Sequence, residues 1–352
     1  MGTTIVITIA VVLFVLVVFQ LARMMEYVSI LRGEEKSRTD NDQLQGKLML
    51  VFLIGGFIAL GYSLWAMRDH LWIEPAAVHA RWLDSMFFIT LFFTGIIFVL
   101  TQVLLFYFAY KYRHRPGRQA LYYPENTKLE MWWTVIPAIV LTTLVIIGVY
   151  RWFQITGPEP EDSMVVEITG QQFLWNYRYP GPDNKLGDFE FRYISGINKV
   201  GIDFNDPASR DDFMATEMHA VVNKPILLRI RAKDVIHSVG IPYMRVKMDA
   251  VPGLVTRFWF IPTITTKEMR ERTGNPDFNY EIVCDQLCGT GHYGMKGILV
   301  VETQEEFDAW AKSQPSFYET YVKGTEEEVR FAQVSEQLKK EREGQAQKGA
   351  KH

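Results

Sequence analysis

Two cysteines, a histidine and a methionine lie within one stretch of twelve residues in the last quarter of the chain. Cys284 and Cys288 are the only cysteines in the sequence, and His292 and Met295 follow them. From the second cysteine onward the spacing is Cys-x3-His-x2-Met, which is typical of the ligand loop of a blue-copper site. A thiolate, an imidazole and a weak thioether suit a metal that transfers single electrons. The sequence therefore predicts a metal centre here.

Cys284 decides which kind of copper site the spacing predicts. Because it lies four residues before Cys288, the two thiolates could bridge two copper ions, each of which takes one histidine. His237, at the end of an upstream strand-like run, is the expected second imidazole. Met295 would bind one ion weakly, and the backbone carbonyl of Gln286 would bind the other. Such a rigid pair suits one-electron transfer and leaves no position open for a substrate.

Two other interpretations of the cysteine pair stay open at this point. A Cys-x3-Cys pair in an oxidising compartment could form a disulfide, and two cysteines with two histidines could hold structural zinc. Zinc, however, gives no reason for Met295.

The elements that must position these residues begin with four uncharged, apolar blocks. Each is as long as the roughly 20 residues that a helix needs to cross a bilayer, so we predict four transmembrane helices and exclude a soluble protein. The first block lacks a basic leader and an obvious cleavage site, and we expect it to be retained. The blocks are Thr3–Ala22, Leu48–Met67, Ser85–Tyr110 and Met131–Tyr150.

Basic residues are distributed unevenly among the loops between these blocks. The first and third loops carry five lysines and arginines each, whereas the second carries two. This pattern places the first and third loops in the cytoplasm and both termini outside. The chain from residue 155 onward holds 24 basic and 30 acidic residues, a net charge of −6, which would attract a basic partner. We expect no nucleic-acid partner.

Short alternating or β-branched runs follow the last apolar block, and Gly, Pro, Asn and Asp separate them. They predict a β-sandwich or barrel, followed by a capped helix over Thr303–Lys312 and an exposed helix over Glu326–Arg342 before an unstructured tail. The predicted strands include Met164–Thr169, Pro225–Arg231, Leu254–Pro262, Tyr280–Cys284 and Gly297–Glu302. The predicted domains are an extra transmembrane hairpin (1–84), a second hairpin (85–154), the β domain (155–322) and a charged tail (323–352).

Three further motifs accompany the cysteine loop: Asn126-Thr-Lys-Leu-Glu130-Met-Trp-Trp133-Thr-Val-Ile-Pro137-Ala, Asp234-Val-Ile-His237-Ser and Val246-Lys247-Met-Asp249-Ala-Val-Pro252-Gly253. In these motifs, and over roughly residues 85–310, the chain resembles subunit II of the haem-copper oxygen reductases, the cytochrome c oxidase family. The resemblance implies a cupredoxin domain with a dinuclear copper centre, CuA, that takes electrons from cytochrome c and passes them to haem in subunit I, where oxygen is reduced. It also implies a bacterial inner membrane with the copper domain on the periplasmic side.

Two positions depart from the usual family pattern. Phe173 stands where the family has the Trp through which electrons enter from docked cytochrome c, and Phe keeps a stacking face but lacks the indole N–H. Trp175 is a candidate substitute, although alternation in a half-buried strand would also explain it. Many members carry Glu where Gln286 stands and use it to help bind Mg²⁺, for which a neutral amide is a poorer ligand. We therefore expect copper and leave magnesium open.

Three carboxylates are also candidate functional residues. Glu130 lies just before the fourth span, where the family places the mouth of a proton path, and a capping box with Thr127 would equally explain it. Asp234 and Asp249 flank His237 in sequence, and they are predicted to orient the imidazole or to bridge to a neighbouring subunit.

The expected partners are subunit I, other oxidase subunits, membrane lipids and a cytochrome donor. Because the sequence contains no Cys-x-x-Cys-His motif, we expect no covalent haem on this chain. Phe173 and the extra helices favour a donor held within a larger assembly, such as a supercomplex, over a freely diffusing one. The alternatives are a membrane-anchored cupredoxin that carries electrons or delivers copper, and a zinc-stabilised assembly subunit.

Overall fold

The computed structural model describes residues 2–349, with side chains over 8–28, 30–33 and 35–343. The first part contains four long helices, and each includes an apolar stretch long enough to cross a membrane. The four predicted spans are therefore confirmed, although each helix extends beyond its uncharged block into charged residues. The helices are α1 (Gly2–Arg32), α2 (Glu34–Leu71), α3 (Val78–Lys111) and α4 (Thr127–Thr156).

Large apolar side chains cover the surfaces of these helices. Phe14 is 69% exposed and Phe92 is 63% exposed in the isolated chain. In water such faces would be strongly unfavourable, so they require lipid or other protein chains as neighbours.

Asn126, and not Thr127, caps α4. The Asn126 side-chain oxygen accepts a hydrogen bond from the Leu129 N–H at 3.0 Å, and Glu130 accepts one from the Asn126 N–H at 3.4 Å. The reciprocal cap predicted for Thr127 with Glu130 is therefore wrong by one residue. Asn is the stronger N-cap residue of the two, which gives a physical reason for the shift.

Beyond α4 the described chain forms a β-rich domain. Its strands are β1 (Met164–Gln171), β2 (Leu174–Tyr179), β3 (Phe213–Ala215), β4 (Met218–Val221), β5 (Ile226–Ala232), β6 (His237–Ile241), β7 (Val246–Ala250), β8 (Thr256–Phe260), β9 (Tyr280–Cys284) and β10 (Lys296–Glu302). They form two five-stranded sheets, in the orders β3-β2-β1-β5-β8 and β4-β10-β9-β6-β7. Buried side chains from both sheets make one hydrophobic core, as expected for two packed β layers.

The link between α2 and α3 belongs to the same compact unit as the β domain. Ala76 and Ala77 are fully buried in its core, and the Ala76 N–H donates to the Tyr243 carbonyl at 2.8 Å. Arg245 donates from Nε to Asp84 at 2.9 Å, so the first turns of α3 are also tied to this unit.

Three shorter or peripheral helices complete the fold: α5 (Thr266–Thr273), α6 (Gln304–Ser313) and α7 (Glu326–Gly349). Thr303 and Glu306 form the predicted capping box at the start of α6. The unstructured tail predicted after Arg342 is corrected in part, because α7 continues to Gly349, while residues 350–352 lie outside the described residues.

A second hydrophobic core joins the loop over residues 180–212 to α7. Tyr193 and Phe204 from the loop pack against Phe331 of α7, with ring centroids 4.5 and 5.3 Å apart. Leu338, which lies further along α7, belongs to the same cluster. The loop and the C-terminal helix therefore bury each other's apolar surface.

A group of buried charges lies on strands β1, β2 and β5 and at the end of this loop, just before β3. Arg178 donates from Nε to Asp212 at 2.8 Å, and Arg231 donates to Glu167 at 2.8 Å. Glu167 and Asp212 are fully buried, and Arg178 is 1% exposed. Such a network is tolerated only because each charge has an opposite partner.

Candidate metal centre

Neighbouring strands bring His237 and Cys284 together. His237 begins β6 and Cys284 ends β9, and the two strands pair antiparallel with Val239 opposite Cys284. The Asp285 N–H donates to the Ser238 carbonyl at 2.9 Å and continues this pairing beyond β9. As a result, Nδ1 of the fully buried His237 lies 3.8 Å from the Cys284 sulfur.

The loop after β9 supplies the remaining sulfur and nitrogen atoms. The Cys288 sulfur lies 3.8 Å from the Cys284 sulfur, 3.7 Å from His292 Nδ1 and 3.9 Å from the Met295 sulfur. The Cys284 N–H donates to the Met295 carbonyl at 3.3 Å, so the loop closes where β10 begins. Gly289 has φ of 134°, a conformation that favours glycine.

Six donor groups therefore surround one small volume. The sixth is the Gln286 carbonyl, whose oxygen lies 3.2 Å from the Cys284 sulfur, while the Gln286 side chain is exposed. Two metal bonds of about 2.0 and 2.3 Å that meet at a tetrahedral angle place their donors about 3.5 Å apart. The nitrogen–sulfur separations of 3.7 and 3.8 Å are close to this value, so the donor set fits a bound metal.

The disulfide interpretation is not supported, because both cysteines are free. Within the described residues, the donor atoms of His237, Cys284 and Cys288 lie within 4.8 Å of one another. Burial, followed by the hydrogen bond and charge of Cys284, raises the pKa of the Cys288 thiol to about 11. A metal ion that binds here must therefore displace protons.

Asp234 orients the buried imidazole. Its Oδ1 accepts a hydrogen bond from His237 Nε2 at 2.8 Å, which leaves the Nδ1 lone pair directed towards Cys284. Burial opposes ionisation of Asp234, but hydrogen bonds from the Gln172 N–H and from His237 outweigh it and lower the pKa of the carboxyl. The carboxylate is therefore ionised at neutral pH and can hold the proton of His237 on Nε2.

Asp249 has a different environment. It is exposed on β7 and lies opposite Ser238, whereas His237 lies opposite Ala250. Successive strand residues face opposite sides of a sheet, so the Asp249 side chain does not face the imidazole.

The two aromatic candidates differ in position and exposure: Phe173 lies in the turn before β2, whereas Trp175 lies on β2 itself. Trp175 is 5% exposed, and its ring centroid lies 6.0 Å from that of His237. Phe173 is 36% exposed and packs over Gly291 of the ligand loop, where an added Cβ would lie 2.5 Å from the Phe173 ring. Trp175 is thus a buried neighbour of a candidate ligand, and Phe173 covers the loop at the surface.

Gln172 was not among the residues predicted from the sequence. Its side-chain nitrogen donates to the Cys288 carbonyl at 2.6 Å, and its backbone N–H donates to Asp234 at 2.8 Å. The only signal in the sequence was its position beside Phe173 in the aromatic segment. Glu130, in contrast, lies in the first turn of α4 and belongs to the other compact unit of the chain.

Comparisons with known proteins match both parts of the chain. Residues 164–303 match the family model described as cytochrome c oxidase subunit II, periplasmic domain, and residues 74–151 match the corresponding transmembrane domain. The alternative cytochrome c oxidase subunit 2 of Bradyrhizobium diazoefficiens is 35% identical over 271 residues, covering 76% of this chain and 93% of that protein. Cytochrome c oxidase subunit 2 of Cereibacter sphaeroides is 30% identical over 252 residues, which cover 67% of this chain and 76% of that protein.

Among solved structures, the periplasmic domain of subunit II of cytochrome oxidase of Bradyrhizobium japonicum is 28% identical, with a TM-score of 0.31. The match covers 44% of this chain and 96% of that chain.

Proposed function

This chain belongs to the cytochrome c oxidase subunit II family, and on that premise we propose that it is the electron-accepting subunit of a membrane terminal oxidase. It takes electrons from an outer cytochrome at a dinuclear copper centre and passes them to haem in subunit I, where oxygen is reduced. One observation carries this proposal. Two thiols 3.8 Å apart each have one imidazole Nδ1 within 3.8 Å, which is the donor set of a copper pair bridged by two thiolates.

The residues that would hold copper are those of the predicted centre. His237 and His292 supply nitrogen, Cys284 and Cys288 supply sulfur, and Met295 and the Gln286 carbonyl complete the set. Two copper ions bound there would supply a one-electron redox couple shared between them.

The protein's part is to keep these donors still while the charge changes. Cys284 and His237 are fixed at the ends of paired strands, and Asp234 fixes the imidazole ring. Met295 is fully buried where β10 begins. With copper bound, little would have to move when an electron arrives or leaves, so the reorganisation that accompanies each transfer would be small. His292 is only half-buried, so its ring offers a route between the centre and the surface.

We further propose a bacterial inner membrane as the location, with the β domain on the periplasmic side. The basic first and third loops then face the cytoplasm, and so does Glu130, which would collect protons for subunit I. The four helices contact lipid and other oxidase subunits. Asp249 is exposed on β7 and is available to an adjoining subunit. Gln286 is exposed but carries no charge, so it favours Mg²⁺ binding less than Glu would.

A free-standing cupredoxin carrier or copper-delivery protein is not favoured. The family match covers the second helix pair as well as the β domain, and subunit II is the only function it names. A zinc-stabilised assembly subunit would leave the buried Met295 beside Cys288 without a role.

Paramagnetic resonance and metal analysis of the chain purified within its complex test the proposal. We expect two copper ions per chain that share one unpaired electron in the oxidised state, with hyperfine splitting from both nuclei. One zinc ion per chain, or a metal-free protein, would contradict the electron-transfer function.

A further inference from the structure

The turn between β1 and β2 touches both segments that carry the candidate ligands. Gln172 lies in this turn, and its backbone N–H donates to Asp234 Oδ2 at 2.8 Å. Its side-chain Nε2 donates to the Cys288 carbonyl at 2.6 Å. One residue from a third part of the chain is therefore bonded to the segment before β6 and to the loop after β9.

These bonds continue through Asp234 to the buried imidazole. Oδ2 of Asp234 accepts from Gln172, while Oδ1 accepts from His237 Nε2 at 2.8 Å, so each carboxylate oxygen has its own donor. Hydrogen bonds thus join the Cys288 carbonyl to the Gln172 side chain, the Gln172 backbone to Asp234, and Asp234 to His237. Strand pairing between β6 and β9 fixes Cys284, but Cys288 lies beyond the end of β9 and needs another support.

The ligand loop is shaped to receive this turn. A Cβ atom at Gly289 would lie 2.9 Å from the Gln172 side-chain nitrogen, and one at Gly291 would lie 2.5 Å from the Phe173 ring. Both contacts are closer than a real Cβ normally allows, so glycine at these positions permits the close approach. Gln172 and Phe173 therefore rest directly on the loop that carries Cys288 and His292.

We propose that Gln172 is a positioning residue of the metal centre, which sets the place of Cys288 relative to His237 through its two hydrogen bonds. The inference rests on the proposed function, because it concerns residues that would hold copper. Gln172 contributes no ligand atom and acts only through Asp234 and Cys288. When the side-chain donor of Gln172 is removed, the Cys288 carbonyl loses this hydrogen bond. The ligand loop then loses its hydrogen bond to the turn between β1 and β2. Copper should then be released more readily, and its reduction potential should change.

Replacement of Gln172 by Leu tests this role in the purified complex. The variant Gln172→Leu keeps the backbone N–H that Asp234 uses and removes only the side-chain donor. We expect copper release to a chelator to become about tenfold faster, the size of effect typical for loss of a group that supports a metal ligand. The hyperfine splitting and the reduction potential of the centre should also shift. A residue that merely stabilised the fold would alter the unfolding temperature without moving these two signals.

Gln171→Leu is the matched control. Gln171 is the neighbouring residue of the same type, and its side chain accepts a long hydrogen bond from Lys233 at 3.4 Å. Because this bond does not involve the ligand loop, copper release from Gln171→Leu should match the unchanged protein. If Gln172→Leu fails to assemble, Gln172→Glu takes its place, since it preserves size and sets a carboxylate oxygen against the Cys288 carbonyl.

The possible results separate the two proposals. An unchanged protein that holds no copper would refute the proposed function itself. Two copper ions in the unchanged protein, with the same release rate, splitting and potential in Gln172→Leu or Gln172→Glu, would refute the positioning role alone. Equal effects from Gln171→Leu and Gln172→Leu would also refute it, because they would show general loosening of the turn.

Discussion

His237 donates its Nε2 proton to Asp234 at 2.8 Å, and this bond decides which ring nitrogen faces the cysteines. With Nε2 occupied, Nδ1 carries the free lone pair and lies 3.8 Å from the Cys284 sulfur. The orientation of the imidazole is thus fixed by a residue only three positions earlier in the sequence. A carboxylate in this position also makes the imidazole a stronger donor to a metal.

Replacing Asp234 by Asn should weaken copper binding about tenfold. The amide keeps the shape of the side chain but removes its charge, and it has only one oxygen to serve both His237 and the Gln172 N–H. Competition with a copper chelator measures the change. Asp249→Asn is the control, since its side chain is exposed and does not face the imidazole. Equal copper affinity in the two variants would show that Asp234 does not support His237.

Met295→Leu should retain both copper ions and change their reduction potential. The side chain is fully buried, and exchange between Met and Leu costs less than about 1.5 kcal/mol in a core, so the domain should fold. Loss of a thioether ligand alters the potential of a copper site. A redox titration followed by absorbance measures it. An unchanged potential in Met295→Leu would exclude the thioether as a ligand. Cys284→Ser, in contrast, should reduce the centre to one copper ion.

Glu130→Gln should slow oxygen reduction while copper is still reduced at the normal rate. The Gln side chain can still accept from the Asn126 N–H, so the cap on α4 stays, but the titratable group is lost. Stopped-flow reduction of copper and steady-state oxygen consumption separate the two steps. Glu125→Gln, a nearby exposed carboxylate, serves as the control. Normal turnover in Glu130→Gln would leave only the capping role.

Asp212→Ala should destabilise the β domain by about 3–5 kcal/mol, because it leaves the Arg178 guanidinium buried without its main partner. Thermal unfolding monitored by circular dichroism measures the loss. Glu281→Ala removes an ion pair with Lys296 that is exposed to water, and it should leave the unfolding temperature nearly unchanged. Similar small effects from both variants would show that water reaches Arg178 in the folded protein.

Electron transfer in the native assembly should persist on dilution without added cytochrome. A donor held in the complex has a high effective concentration, so transfer should depend little on salt or protein concentration. The prediction follows from the proposal that Phe173, in place of the Trp expected from the family, would weaken docking of a diffusing cytochrome and that the additional helices would offer lateral contact surface. Flash-induced reduction of copper at several dilutions measures this. A diffusing donor would give a different result. Transfer would be lost on dilution and restored by soluble cytochrome c, and it would weaken steeply as added salt reduces the Debye length below ~10 Å.

The sequence was sufficient to predict the parts of this protein that depend on local pattern. Uncharged blocks of this length predict membrane spans directly. Four side chains that could bind a metal lie within twelve residues, so a single loop is enough to bring them together. The core strands β1, β5, β8, β9 and β10 are apolar enough to be recognised, with their ends within two residues of the prediction.

What the sequence did not reveal depends on distant contacts. β3 has three residues and β4 has four, too few for a periodic pattern. Arg178 interrupts β2 with a charge that is tolerable only because Asp212 and Glu167, both distant in sequence, pair with it. The bond from Gln172 to Cys288 joins residues 116 positions apart and arises from the approach of a turn to a loop. No spacing rule encodes such a contact.

The cluster that joins the loop over 180–212 to α7 also bears on where the β domain can be shortened. Each segment supplies apolar surface that the other covers, so a chain cut before α7 would uncover apolar surface around Phe204, and one without the loop would uncover Phe331. The two segments lie more than a hundred residues apart in the sequence. A shortened domain without a new exposed apolar patch must therefore keep both segments or omit both.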